Sequence, residues 1–262
     1  MRTRMRVLAL GAAACALWAL AARAEDKPQH SAVKPEPRLK KDKTPDEKLM
    51  KRHDGFVAIA KKGDVDVLFL GDSITDAWGG PGHNPKAAGA KIFAEEFEPL
   101  KAANFGIGGD RTQHVLWRLQ NGELDGIRPK VVMLMIGTNN SNRNDNTAEE
   151  IADGVKAIVR EIHKQSPKTK VLLLGIFPRA TGNNEEAKKA QMEKITKVNE
   201  IVSKLDDGGK TVKYLDIGKK FLGEDNAIPK EIMPDQLHLS AKGYQIWSDA
   251  VKEPIKELLG AK

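Results

Sequence analysis

Apolar positions fall into two alternating patterns along the chain. Short, largely apolar runs occupy residues 65–70, 131–136 and 171–177, that at 131–136 being continuous, with a short strand at 212–215 and a weaker one at 102–105. Runs of this length without polar alternation are the signature of strands covered on both faces. Between them lie segments with helical spacing. These are Leu49, Phe56 and Ile59; Val115, Leu116 and Leu119; Ile151, Val155, Ile158, Val159 and Ile162; and a long stretch over 185–205.

Punctuation supports the same elements. Thr44-Pro45-Asp46-Glu47 is expected to open the first helix, with Thr44 as its N-cap and proline at the first helical position. Asp110-Arg111-Thr112-Gln113 and Thr147-Ala148-Glu149-Glu150 read as capping boxes, and Asn121-Gly122 as a stop. Ser240 is expected to cap a last helix through Trp247 that Pro254 interrupts. Five strands alternating with capped helices predict an α/β fold with a parallel sheet flanked by helices. Ligand sites of such sheets lie at the carboxyl ends of the strands.

The first 24 residues stand apart. Arg2, Arg4 and Arg6 precede an apolar run of 14 residues, Val7 to Leu20, and Ala22-Arg23-Ala24 offers small residues at a cleavage site. That order is a secretory signal peptide, and the run is short of the ~20 residues that span a bilayer. Cleavage after Ala24 is expected in preference to a retained anchor or lipidation at Cys15, leaving no stable membrane span. An exported location follows, whether periplasmic, extracellular or at the cell surface. Four arginines leave with the leader, so the formal charge of +7 falls to +3, and the single cysteine leaves too. The remaining charge gives no case for nucleic-acid binding. Residues 25–44, with three prolines among many lysines, are expected to form a disordered linker. Residues 45–262 are expected to be one domain.

The chemistry gathers at the predicted strand ends. Ser73, in Gly71-Asp72-Ser73-Ile74-Thr75, follows the first strand; Gly108 follows the second; Asn139 follows the third; Asp235 and His238 precede the last helix. A serine hydroxyl needs an adjacent base to become a nucleophile, and the base needs an orienting carboxylate. His238 and Asp235 can supply both from one loop. Attack on an ester carbonyl also creates an oxyanion, for which the backbone N–H groups of Ser73 and Gly108 and the Asn139 amide are candidate donors. Taken singly, each segment has a plainer reading. Gly-Asp-Ser is a common turn, and 105–110 could be a phosphate loop, though it lacks both the dinucleotide spacing and a P-loop lysine. Asp235 to His238 could be half of a metal site, but no further ligand falls at convincing spacing, so no metal is expected. The four segments together favour hydrolysis.

Those segments resemble the blocks of the SGNH, or GDSL-type, serine hydrolase superfamily. Gly71-Asp72-Ser73-Ile74 is similar to the first block, Gly108 to the second, Gly137-Thr138-Asn139 to the third and Asp235-Gln236-Leu237-His238 to the last. The stretch from Asn104 to Asn140 resembles the catalytic subunits of platelet-activating-factor acetylhydrolases. The resemblance implies a flavodoxin-like three-layer α/β/α sandwich with a parallel five-stranded sheet. It also implies no cofactor, and the roles of nucleophile for Ser73, base for His238, orienting carboxylate for Asp235 and oxyanion donors for Gly108 and Asn139. A short acyl group such as acetyl is expected on a small-molecule or glycan ester. Ile74, Thr138 and Leu237, which adjoin these residues, are candidate walls of an acyl pocket. The rival readings are a carbohydrate O-acetylesterase and a non-catalytic surface ligand-binding domain.

Overall fold

A computed structural model describes residues 29–142 and 145–260. The signal-peptide expectation for 1–24 lies outside the described residues. Five strands form one wholly parallel sheet: β1 (Val67–Gly71), β2 (Ala102–Asn104), β3 (Val131–Met135), β4 (Lys170–Leu174) and β5 (Val212–Leu215), in the order β2-β1-β3-β4-β5. The register aligns Val67 with both Ala102 and Val131, Val131 with Lys170, and Val171 with Val212. This is the flavodoxin-like order, in which the topology reverses beside β1 and opens a crevice at the carboxyl edge.

Strand alternation divides the apolar runs between two cores. Leu68, Leu70, Val132, Leu134, Val171 and Leu173 face one way and pack with Phe56, Val115, Ile151, Val155 and Val198. Those partners come from α1 (Glu47–Lys62), α4 (Thr112–Arg118), α5 (Ala148–Gln165) and α6 (Glu185–Val202). Val67, Phe69, Val131, Met133, Leu172 and Leu174 face the other way, against Trp78, Phe93, Tyr244 and Trp247. Here the cover is α2 (Ser73–Asp76), α3 (Ala90–Glu96) and α7 (Ala241–Leu259). With both faces covered, the strands need no polar side, which explains the largely apolar runs in the sequence. The three-layer expectation is met.

Several local expectations are corrected. Asp46, not Thr44, caps α1, its carboxylate accepting from the Lys48 and Leu49 N–H groups, while Thr44 hydrogen-bonds Asp42. Asp110 does not cap α4; Arg111 holds that position, and the Asp110 carboxylate is committed to two arginines described below. The Thr147/Glu150 box does form, with both reciprocal bonds present. Pro254 does not interrupt α7, which runs on to Leu259. A proline inside a helix costs about 3 kcal/mol. Val251, Ile255 and Leu258, buried on either side of it, offset that cost.

The linker expectation changes most. From residue 29 onward the segment lies against the domain: Ala32 is fully buried and its carbonyl accepts the Thr112 hydroxyl at 2.8 Å. The Glu36 N–H donates to the Gln113 carbonyl, Leu39 bridges to Pro45, and Arg38 reaches Gly108 and Asp110. A segment with little apolar surface is held here by hydrogen bonds and one guanidinium, contacts that composition does not announce.

Candidate active site

The nucleophile turn is built by a glycine and a carboxylate. A Cβ at Gly71 would lie 2.4 Å from the Met135 carbonyl and 2.2 Å from the Thr75 hydroxyl, so only glycine lets α2 fold back over the end of β1. Asp72 caps α2 through the Ile74 N–H at 3.0 Å. Ser73 is thereby held at the first position of α2, and its N–H donates to no group among the described residues.

Ser73 Oγ lies 2.9 Å from His238 Nε2, and His238 Nδ1 lies 2.6 Å from Asp235 Oδ2. The Asp-x-x-His spacing has a physical basis. Asp235 Oδ1 accepts the Leu237 and His238 backbone N–H groups at 3.1 and 2.7 Å, which curls the loop and brings the imidazole over Oδ2. Gln236, at the turn, takes a positive φ of 63° and donates its side-chain amide to the Ile228 and Met233 carbonyls. Partial burial resists ionisation of Asp235, but the His238 side-chain and backbone hydrogen bonds outweigh it and hold its carboxyl below the usual range. With Nδ1–H given to Asp235, His238 Nε2 is left as the acceptor facing Ser73. Both side chains are open to solvent, at 43% for His238 and 55% for Asp235.

Of the oxyanion candidates, Asn139 is oriented by a 2.8 Å bond from Nδ2 to the Asp110 carbonyl, which leaves its second amide hydrogen. Gly108 departs from expectation. Its N–H is not an open donor but is directed at Asp76 Oδ2, 3.0 Å away. The cause is position: Asp76 falls one turn beyond Ser73 on α2 and meets the β2–α4 loop edge-on. Burial opposes Asp76 ionisation, yet hydrogen bonds from His83 and Arg52 prevail and hold its carboxyl far below the usual range.

The pocket-wall candidates are also revised. Ile74 is 1% exposed within the core of Trp78 and Tyr244, and its carbonyl accepts the Tyr244 hydroxyl at 2.6 Å. Thr138 is 2% exposed, with its carbonyl and hydroxyl both taken by Arg179 Nη1. Neither offers surface to an acyl group; Leu237, half-buried, does.

Buried ions support the site from beneath. Asp110 accepts from Arg38 at 3.4 Å and Arg118 at 2.9 Å, and Arg118 is also paired with Glu123. Burial nevertheless pushes Asp110 up to about 6. Burial pushes Asp72 further, to about 7, and its Oδ2 has no hydrogen-bond partner among the described residues. His114 is depressed to about 3 by burial and then by Arg38, Arg111 and Arg118, so it is neutral and its Nδ1 accepts the Arg111 N–H. Arg38, Arg52, Asp76, His83 and Arg179 were not anticipated from the sequence. Each acts through a partner far away along the chain, and no local spacing marks it. Between the loops after β3 and β4 and the start of α6 is a cleft of about 760 Å³. Its lining includes Ser141, Asn142, Arg179, Thr181, Asn183 and Gln191, with only alanines as apolar side chains.

A parallel α/β sheet with a serine, histidine and aspartate in line at its carboxyl edge is an architecture of serine hydrolases that work through an acyl-enzyme. Residues 69–246 match the GDSL-like Lipase/Acylhydrolase family, and the chain belongs to it. It is 40% identical over 224 residues to platelet-activating factor acetylhydrolase IB subunit alpha2 of Rattus norvegicus, covering 85% of this chain and 90% of that protein. To the alpha1 subunit of the same organism it is 41% identical over 216 residues, covering 82% and 85%. A GDSL-like lipase structure from Bacteroides thetaiotaomicron superposes with a TM-score of 0.62 at 22% identity, covering 79% of this chain and 97% of that one, a likeness of fold. The chain is thus a carboxylic ester hydrolase of the GDSL type, with relatives among acetylhydrolases.

Proposed function

We propose that this hydrolase cleaves short-chain, acetyl-type esters through Ser73, His238 and Asp235, and that it does so as an exported enzyme. The observation carrying the reading is the continuous hydrogen-bond line from Ser73 Oγ to His238 to Asp235. In the first half-reaction Ser73 Oγ attacks the ester carbonyl carbon while its proton passes to His238 Nε2. The tetrahedral oxyanion accepts from the Ser73 N–H and the Asn139 amide. Collapse breaks the bond to the alcohol oxygen, which takes the proton from His238. Water then attacks the acyl-Ser73 ester with His238 again as base, and acetate and free Ser73 result. Asp235 stays ionised and stabilises the imidazolium. Export is supported by the basic, apolar, small-residue order of residues 1–24.

A short acyl preference is supported by the burial of two of the three candidate acyl walls, Ile74 and Thr138, which leaves Leu237 to receive the acyl group. A second reading of the alcohol side is favoured by the cleft between the loops after β3 and β4, lined by hydroxyls, amides and the charged Asp145, Arg179 and Lys194, which suits a hydrophilic alcohol such as a sugar better than an alkyl chain. The test is an acyl-length series of nitrophenyl esters, with acetylated xylan in parallel, on wild type and Ser73→Ala. Acetyl should be hydrolysed fastest and Ser73→Ala should be inactive, with a fluorophosphonate adduct on Ser73. Equal activity in Ser73→Ala ends the proposal. A rate rising steadily to decanoyl overturns the short-acyl part.

A further inference from the structure

Asp76 presents a puzzle in electrostatics. It places a carboxylate against the loop that faces the nucleophile: a Cβ at Gly108 would lie 3.5 Å from Asp76 Oδ2 and 3.9 Å from Ser73 Cβ. An anion so near a developing oxyanion opposes the reaction, because like charges repel. Yet the carboxylate is tightly held. Oδ2 accepts from Gly108 N–H and from Arg52 Nη1 at 2.7 Å; Oδ1 accepts from Arg52 Nη2 at 2.9 Å and faces His83 Nδ1 at 2.8 Å. The fork also donates from Nη2 to the Gly106 carbonyl at 3.2 Å, and His83 Nε2 faces the Asn104 carbonyl at 2.8 Å.

We propose that Arg52 and Asp76 form a positioning pair for the oxyanion site. Asp76 fixes the Gly108 peptide against Ser73, and Arg52 cancels the carboxylate charge that this task introduces. The inference rests on the assignment of Ser73 as nucleophile. Its logic is division of labour. The Gly106–Gly108 loop needs an acceptor to hold its orientation, and α2 supplies one from the same turn that carries Ser73, so the loop and the nucleophile move as one body. A bidentate guanidinium is the residue type suited to a carboxylate whose two oxygens must both stay fixed. Gly108 N–H is then a structural donor that sets the loop beside Ser73.

Because the two roles offset each other electrostatically, their removal is non-additive with a defined sign. Arg52→Gln leaves the carboxylate uncompensated and should lower kcat on nitrophenyl acetate by roughly 10²-fold, with KM within about threefold. Adding Asp76→Asn removes the stranded charge, and kcat should return to within about tenfold of wild type although a second contact has been lost. Arg52→Lys keeps a charge without the fork and should fold, with kcat reduced by about tenfold at unchanged KM. The inference is overturned if the double variant is as slow as Arg52→Gln, or if Arg52→Gln raises KM and spares kcat. Should Arg52→Gln not fold, wild-type kcat in Arg52→Lys overturns it instead. Full activity in Ser73→Ala would signal failure of the nucleophile assignment, which these variants leave untouched.

Discussion

Replacing Asp235 by asparagine separates orientation from charge at the proposed base. Asp235 Oδ1 accepts two backbone N–H groups, from Leu237 and His238, while Oδ2 accepts the imidazole N–H at 2.6 Å. In Asp235→Asn the amide oxygen must remain on the backbone pair, since an NH2 group there would face two donors. The NH2 group therefore turns to His238 Nδ1, which can only accept. The ring proton moves to Nε2, the atom 2.9 Å from Ser73 Oγ, and a base becomes a donor. The imidazolium also loses its counter-charge. Losses on the order of 10³–10⁴ in kcat are expected, equivalent to about 4–5.5 kcal/mol of barrier. Because both side chains are largely solvent-exposed, the fold should be little affected. The pH sign follows from the lowered Asp235 pKa: the small stabilisation from this pair is present above the ordinary carboxylate value of 3.8 and is lost as pH falls through the lower folded value. The Tm difference between wild type and variant should accordingly fade in acid. Initial rates of nitrophenyl acetate hydrolysis, with melting followed by circular dichroism, measure both quantities. A kcat within tenfold of wild type would refute the tautomer argument.

Other consequences are equally open to measurement. Asn139→Ala removes an oxyanion donor and should cost roughly 10²–10³ in kcat with KM nearly unchanged, whereas a raised KM with kcat intact would assign Asn139 to ground-state binding. Gly106→Ala should be damaging, because its Cβ would lie 2.3 Å from the Asp76 nitrogen and 2.6 Å from the Thr75 carbonyl carbon, forcing α2 to move. A destabilisation of roughly 1–3 kcal/mol, or about 2–4 °C of Tm per kcal/mol, is expected together with a lower kcat, and an unchanged Tm would contradict it. Asp72→Asn should stabilise as pH rises. The folded pKa of about 7 stands above the ordinary 3.8, so the wild type loses stability between those values by having to ionise a buried carboxyl. The asparagine oxygen can retain the Ile74 N–H, and the Tm advantage of the variant should grow from pH 4 to 8 by a few degrees; a constant difference would argue that Asp72 is already ionised at low pH.

What the sequence disclosed and what it withheld divide along the range of the interactions. The strands were visible because burial on both faces forces runs such as 131–136 to be wholly apolar, and the triad loop was visible because Asp235 and His238 sit three residues apart. Gly71 and Ser73 share a turn for the same local reason. Arg52, Asp76 and His83 carry no such signal. Arg52 is one of several cations in the first helix, His83 lies in a Gly/Pro-rich loop, and Asp76 follows the Gly-Asp-Ser turn with no partner spaced to mark it. Only the parallel crossover, which brings α1 and the β2–α4 loop beside the end of β1, turns them into one cluster. The 29–44 segment is the complementary case: its composition forbids a core of its own, but it needs none, since α4 and α5 supply the surface for Ala32 and the Gly108–Asp110 loop supplies acceptors for Arg38. The two cases meet at one loop. Residues 106–110 carry glycines that the sequence marks as a site, yet their geometry is set from one side by Arg52 and Asp76 and from the other by Arg38 and Arg118. A motif thus names the atoms of the reaction, while the residues that hold those atoms in register emerge only from the packing.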